Sequence, residues 1–163
     1  MSENPQGVFI DDVEFPFDES SSILEFSNKS LGEKIIPTLC DDVNLKPYGA
    51  CRVCSVEVQH TEDGPKRTVA SCHTPINPGM RIYTNSDSVK TLRRNIVELV
   101  LSDHPPDCLT CEVNGNCELQ DVAASVGVRR IRYAKGKNHC DREKDLSHAY
   151  MRMDLSKCIN CSR

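Results

Sequence analysis

The sequence has no tryptophan, and aromatic residues make up only 5% of it. With 38% hydrophobic residues in a chain of 163, a purely apolar core is thin for the length, which points to another stabilising element. A cationic excess is missing too. Lys and Arg number 20 against 24 Asp and Glu, a net charge of −4, which excludes a general nucleic-acid binder. No run approaches the ~18 apolar residues of a membrane span, so no membrane insertion is expected. Met1-Ser2-Glu3-Asn4-Pro5 has neither the basic nor the apolar part of a signal peptide, which predicts a reducing, cytoplasmic compartment. There is no phosphate-binding loop, no dinucleotide fingerprint and no nucleophile elbow, and nothing has the layout of a nucleophile–base pair. No catalytic residue is therefore assigned. What the chain has in quantity is cysteine, ten in all. In a reducing compartment, clustered cysteines are more often metal or redox sites than disulfides.

Local patterns divide the chain. Residues 1–6 read as a flexible tail. Val8 to Ile10 and Val13 to Phe17 flank Asp11-Asp12 as a hairpin. Ser20 to Ser22 can cap a helix through Ile23, Leu24 and Phe26 that ends near Gly32. After a Pro-, Asn- and Gly-containing loop, Val53 to Val58, Lys66 to Cys72 and Met80 to Tyr83 read as strands. This order is α+β. From Asp87 the period changes. Val89, Leu92, Ile96, Val97 and Val100 recur at helical spacing over about 87–102, and His104-Pro105-Pro106 stops that helix. Leu119, Val122, Ala123 and Val126 give another helix, closed by Gly127. Residues 128–157 are polar without strong periodicity.

Two constellations carry chemistry. Cys40, Cys51, Cys54 and Cys72 are spaced C-x10-C-x2-C-x17-C. Four thiolates are what a [2Fe–2S] cluster needs, and small Gly49 and Ala50 let backbone N–H groups approach the sulfurs and tune the potential. A structural zinc site has the same C-x2-C heart, and spacing leaves that alternative open. His104, Cys108, Cys111 and Cys117 follow as H-x3-C-x2-C-x5-C. One imidazole and three thiolates can hold zinc, or a [4Fe–4S] cluster whose neutral ligand makes it one charge less negative and easier to reduce.

The segment Tyr48-Gly49-Ala50-Cys51-Arg52-Val53-Cys54, within Cys40–Cys72, resembles the ferredoxin-like domain of the large iron–sulfur subunit of respiratory complex I, of iron-only hydrogenases and of NAD-dependent formate dehydrogenases. His104-Pro105, Cys108-Leu109-Thr110-Cys111 and Asn114-Gly115-Asn116-Cys117-Glu118-Leu119-Gln120 are similar to the one-histidine, three-cysteine segment of the same families. With Asp121, Val126-Gly127, Arg129 and Arg132-Tyr133, the wording is most similar to the alpha subunit of molybdenum or tungsten formate dehydrogenase. The resemblance covers about residues 7–133. It implies a β-grasp domain over 7–86 holding [2Fe–2S] and a small helical domain over 87–127 holding [4Fe–4S]. It further implies a parent subunit with more [4Fe–4S] clusters and a molybdenum or tungsten pterin. That parent would oxidise formate and pass electrons to NAD on a flavin- and NAD-binding partner subunit. An iron-only hydrogenase or complex I parent is the alternative within this class. A zinc-stabilised interaction domain is the alternative outside it.

Cys158 and Cys161 open a C-x2-C-x2-C pattern whose third cysteine would be residue 164, so residues 128–163 are expected to lead into a truncated ferredoxin-type [4Fe–4S] domain. Cys140 is read as an unliganded thiol. His60, His73, His139 and His148 are read as surface histidines, and the basic run Arg129, Arg130, Arg132, Lys135 and Lys137 as a solvated face. With ligands spread over residues 40–117 and little apolar content, the chain is expected not to fold without its clusters.

Overall fold

The computed structural model describes residues 7–32, 34–138 and 142–163. Strands β1 (Gly7–Ile10) and β2 (Val13–Pro16) form the expected hairpin, with Asp11 and Asp12 both at positive φ, 48° and 67°. Two residues in that conformation match the twist of the flanking strands. Asp11 also locks the hairpin to the sheet, its carboxylate accepting from the Thr84 N–H at 2.7 Å and from the Thr84 hydroxyl.

Helix α1 (Ile23–Leu31) begins at Ser22, whose Oγ accepts the Glu25 N–H, while Glu25 Oε2 accepts the Ser21 N–H at 2.8 Å. Both bonds satisfy N–H groups at the helix start. Strands β3 (Ser55–Gln59), β4 (Arg67–Ala70) and β5 (Arg81–Tyr83) complete a mixed five-stranded sheet in the order β2-β1-β5-β3-β4. β1 and β5 run parallel, and the other neighbours are antiparallel. Ile23, Leu24 and Phe26 of α1 pack with Val8, Ile10, Val56, Val58 and Ile82 of the sheet in one core. The α+β arrangement of the sequence is present.

Helix α2 (Asp87–Asp103) is capped by Ser86, whose hydroxyl accepts the Val89 N–H and donates to Glu57 Oε2 at 2.8 Å. Helix α3 (Glu118–Ser125) follows a loop that holds one short 3₁₀ turn, Cys108–Thr110. It is closed by Gly127 at φ 71°, a conformation only glycine adopts without cost. Beyond it the described residues carry no α-helix or strand, only an isolated bridge between Asp145 and Met153 and a 3₁₀ turn at Leu155–Lys157.

Two strand expectations shift. Val53 lies before β3, because Arg52 at φ 60° turns the chain and pairing starts only at Ser55. The strand expected to reach Cys72 stops at Ala70, whose carbonyl accepts turn bonds from the His73 and Thr74 N–H groups. Both shifts take a cysteine out of the sheet ladder and place it in a turn.

Val53 instead joins a second apolar core. There Leu39 and Val53, from either side of the first cysteine loop, pack with Val97 of α2 and Leu119 and Val122 of α3. Cys51, Cys117 and Ile159 lie against the same core. Cys140 and His139 fall outside the described residues.

Candidate metal centres

Residues 34–54 form turns and coil with no helix or strand, so the backbone there is shaped by turn chemistry rather than by a ladder. Gly49 at φ 71° and Arg52 at φ 60° bend the chain on either side of Cys51. Cys40, Cys54 and Cys72 are buried, Cys51 is half-buried, and all four are free thiols.

The four thiols are hydrogen-bonded in two pairs, Cys40 with Cys51 and Cys54 with Cys72. Hydrogen bonding from Cys72, with help from Ser71, pulls the Cys54 thiol below its ordinary range. Sharing that bond, together with burial, pushes Cys72 up. Burial also raises Cys40. Among Cys40, Cys54 and Cys72, Cys54 is the one eased toward the thiolate that a metal ligand must be. Ser71 fixes the Cys54 backbone, its hydroxyl donating to the Cys54 carbonyl at 2.8 Å and its N–H at 3.2 Å. Two close thiol pairs suit a [2Fe–2S] rhomb, which takes two thiolates on each of two irons. Among the described residues, no three His, Cys, Asp or Glu side chains close on a single-ion position.

The second group is assembled where α2 ends. The His104 N–H caps the helix by donating to the Val100 carbonyl at 3.1 Å. His104 Nδ1 sits 3.0 Å from the Pro105 carbonyl, which can only accept. With Nδ1 turned to that carbonyl, Nε2 is the ring nitrogen left to face a metal. Cys108 and Cys111 bracket the 3₁₀ turn, with the Cys111 N–H donating to the Cys108 carbonyl at 3.2 Å. Cys117 is the N-cap residue of α3. Gln120 braces the intervening loop, accepting from the Gly115 N–H and donating to Asn114 Oδ1 at 2.9 Å.

His104, Cys108, Cys111 and Cys117 all line one cavity of about 1140 Å³, and Cys158 and Cys161 line it as well. Spacing alone set the terminal pair apart as a third site. The fold turns it toward the second. The Asn160 N–H donates to Cys158 Sγ at 3.4 Å, and Asn160 and Ser162, both at positive φ, flank Cys161. Tyr48, from the first cysteine loop, donates its hydroxyl to the Cys161 carbonyl at 3.2 Å. Lys157 pairs with Asp107, and Arg163 with Glu118. The donor set fits an iron–sulfur cluster of one imidazole and three thiolates.

Of the histidines set aside, His60, His73 and His148 are exposed. The basic run is exposed too, but Arg132 is engaged. Its Nε donates to the otherwise buried Glu98 carboxylate at 2.7 Å, which holds that carboxyl below its usual range.

Sequence reading missed Arg93. It sits four residues from Val89 and four from Val97 on the buried stripe of α2, where an apolar side chain is the rule, and that break in the pattern was the available signal. It is only 6% exposed.

Residues 7–87 match the family described as the 2Fe-2S iron-sulfur cluster binding domain. Residues 93–132 match the NADH-ubiquinone oxidoreductase-G iron-sulfur binding region. Among curated proteins, the chain is 42% identical over 151 residues to "NADP-reducing hydrogenase subunit HndD" of Solidesulfovibrio fructosivorans, covering 89% of this chain and 24% of that one. It is 36% identical over 159 residues to the G subunit of the NADH-quinone oxidoreductase of Escherichia coli (strain K12), covering 96% of this chain and 17% of the relative. The chain thus spans a quarter or less of these relatives. Among solved structures, one chain of an NAD+-reducing [NiFe]-hydrogenase in the H2-reduced state superposes with a TM-score of 0.83 at 28% identity, over 96% of this chain and 63% of the other. Among the described residues no helix is long and apolar enough to cross a membrane. With thiol pairs in one loop system and a histidine–cysteine cavity beside it, the chain carries a [2Fe–2S] ferredoxin-like domain joined to an iron–sulfur binding region of the NADH-ubiquinone oxidoreductase-G family, the two-part module it shares with NADH-quinone oxidoreductase and NADP-reducing hydrogenase.

Proposed function

We propose that this chain relays single electrons inside an NAD(P)-linked multi-cluster oxidoreductase. Cys40, Cys51, Cys54 and Cys72 hold [2Fe–2S]. His104, Cys108, Cys111 and Cys117 hold [4Fe–4S]. When bound, the two clusters supply one-electron redox chemistry, and the protein's part is to hold, orient and tune them. The observation that carries the reading is the grouping itself, two hydrogen-bonded thiol pairs and a separate cavity ringed by one imidazole and three thiols. The apolar core shared by Cys51 and Cys117 puts one ligand of each site against common packing. No side chain need act as acid or base.

In this reading residues 7–86 and 87–127 are the two cluster domains, and residues 128–163 lead toward a third cluster begun by Cys158 and Cys161. The compartment is cytoplasmic, where thiols stay reduced. The wording around Cys108–Cys117 favours formate as electron source, with a molybdenum or tungsten pterin elsewhere in the parent and a flavin- and NAD-binding partner. The 42% identity to an NADP-reducing hydrogenase subunit favours hydrogen as the second reading.

The test is iron, acid-labile sulfide and zinc counted on anaerobically purified protein. About six irons per chain with matching sulfide are expected from the two cluster formulas. Stoichiometric zinc without iron would leave an interaction domain. In the parent complex, bleaching of the visible absorption by formate but not by hydrogen supports the first electron source, and the converse supports the second.

A further inference from the structure

Arg93 reaches from α2 into the β-sheet and is held there by two backbone carbonyls. Its Nε donates to Ser55 O at 2.9 Å and its Nη1 to Thr84 O at 3.0 Å. Its Nη2 is buried with no hydrogen-bond partner, and no carboxylate forms an ion pair with the guanidinium among the described residues. A buried charge in this condition is costly, and carbonyl dipoles offset only part of the cost. Removing it would be easy for a protein that needed only packing, because Val89 and Val97 fill the neighbouring positions of the same stripe. The location explains the charge. Ser55 follows Cys54 directly, and the Cys54 carbonyl is tied to Ser71, next to Cys72. The guanidinium is therefore anchored one residue from the Cys54–Cys72 pair.

We propose that Arg93 is the built-in counter-charge of the [2Fe–2S] centre, a positioning residue that raises its reduction potential while pinning α2 to β3. This rests on the assignment of Cys40, Cys51, Cys54 and Cys72 as its ligands. A cluster bound by four thiolates is anionic, and each added electron makes it more so. A fixed cation in low dielectric then favours the reduced form. Burial draws the Arg93 pKa down to about 10, against the pull of Cys54 and Asp11, so the side chain stays charged at neutral pH. Of the two groups whose charge pulls against that burial, Cys54 is the larger influence and Asp11, itself bonded to Thr84, the smaller.

The experiment is a potentiometric titration of the cluster-loaded chain, followed by the EPR signal of the reduced two-iron centre at a temperature where four-iron signals are broadened away. Arg93→Gln removes the charge. Arg94→Gln makes the same change in net charge at an exposed position and is the control. Arg93→Lys keeps the charge and loses the two-armed anchor. For Arg93→Gln the reduction equilibrium constant is expected to fall at least tenfold relative to Arg94→Gln, which is about 59 mV for a one-electron couple. Arg93→Lys is expected to stay within threefold of the unmodified protein. Equal potentials in Arg93→Gln and Arg94→Gln would overturn the proposal. If Arg93→Gln does not hold its cluster, Arg93→Lys decides alone, and a tenfold fall there overturns it. Absence of any two-iron signal in the unmodified protein is a different result, and it defeats the ligand assignment instead.

Discussion

Val97→Ala isolates how tightly the first cysteine loop is clamped to the helices. Val97 is fully buried and packs between Leu39 and Val53 on one side and Leu119 and Val122 on the other. It is not itself a ligand candidate. The substitution removes two carbons, about 0.8 kcal/mol each in lost transfer energy. A residual cavity between four neighbours from three segments adds to that, for a total of about 2 kcal/mol. If iron leaves through local opening of this core, the opening equilibrium rises roughly thirtyfold. The assay is anaerobic release of iron to a coloured chelator, at chelator concentrations where the rate is still proportional to chelator. There the population of the open form governs the rate. Val43→Ala, 99% exposed in the same loop system, is the control and should leave the rate unchanged. A Val97→Ala acceleration below about threefold would refute the reasoning, because iron would then escape without separating the loop from the helices.

Other expectations are quicker to check. His104→Ala should lower iron from about six to about two per chain and leave the two-iron spectrum intact, and an unchanged iron count would remove His104 from the ligand set. Ser22→Ala deletes the N-cap bond to Glu25 and should cost about 1 kcal/mol, read as a lower denaturation midpoint of the loaded protein. Gly49→Ala puts a side chain at φ 71°, where its Cβ meets ordinary contacts, Ala70 at 3.4 Å and His73 at 3.9 Å. The cost is then conformational, about 1–2 kcal/mol, and should appear as earlier loss of visible absorbance on heating, which a merely crowded site would not predict from this geometry.

Much of this organisation was legible because local rules and chemistry agree. Asp11-Asp12 reads as a turn and adopts the conformation of one, and Ser22 to Gly32 carries start and stop signals that the helix obeys. The cysteine and histidine spacings announce two groups, and the fold brings the first together as hydrogen-bonded thiols and the second around one cavity. What was illegible depends on partners distant in sequence. Val53 looks like strand because it is β-branched beside Ser55 to Val58, but its partners are Val97 and Leu119, and Arg52 turns it toward them. Nothing local to Cys158 says that it faces the His104 cavity, because that direction is set by partners far along the chain, the core on which Ile159 packs and the Tyr48 hydroxyl. Arg93 is visible only as a break in a stripe, and its role needs the carbonyls of Ser55 and Thr84.

The hydrogen bond from Tyr48 to Cys161 closes a span of 113 residues. At the ~5–20 residues per second of ribosomal synthesis, that span takes about 6 to 23 s to emerge. Cys72, the last of the first four thiols, precedes Cys161 by 89 residues, so for about 4 to 18 s of that interval all four exist before the segment that Tyr48 later holds. The window is long compared with the roughly 0.1 to 10 μs in which a helix or hairpin forms. The nascent sheet, whose last strand ends at Tyr83, can therefore be complete well before the Tyr48–Cys161 bond closes.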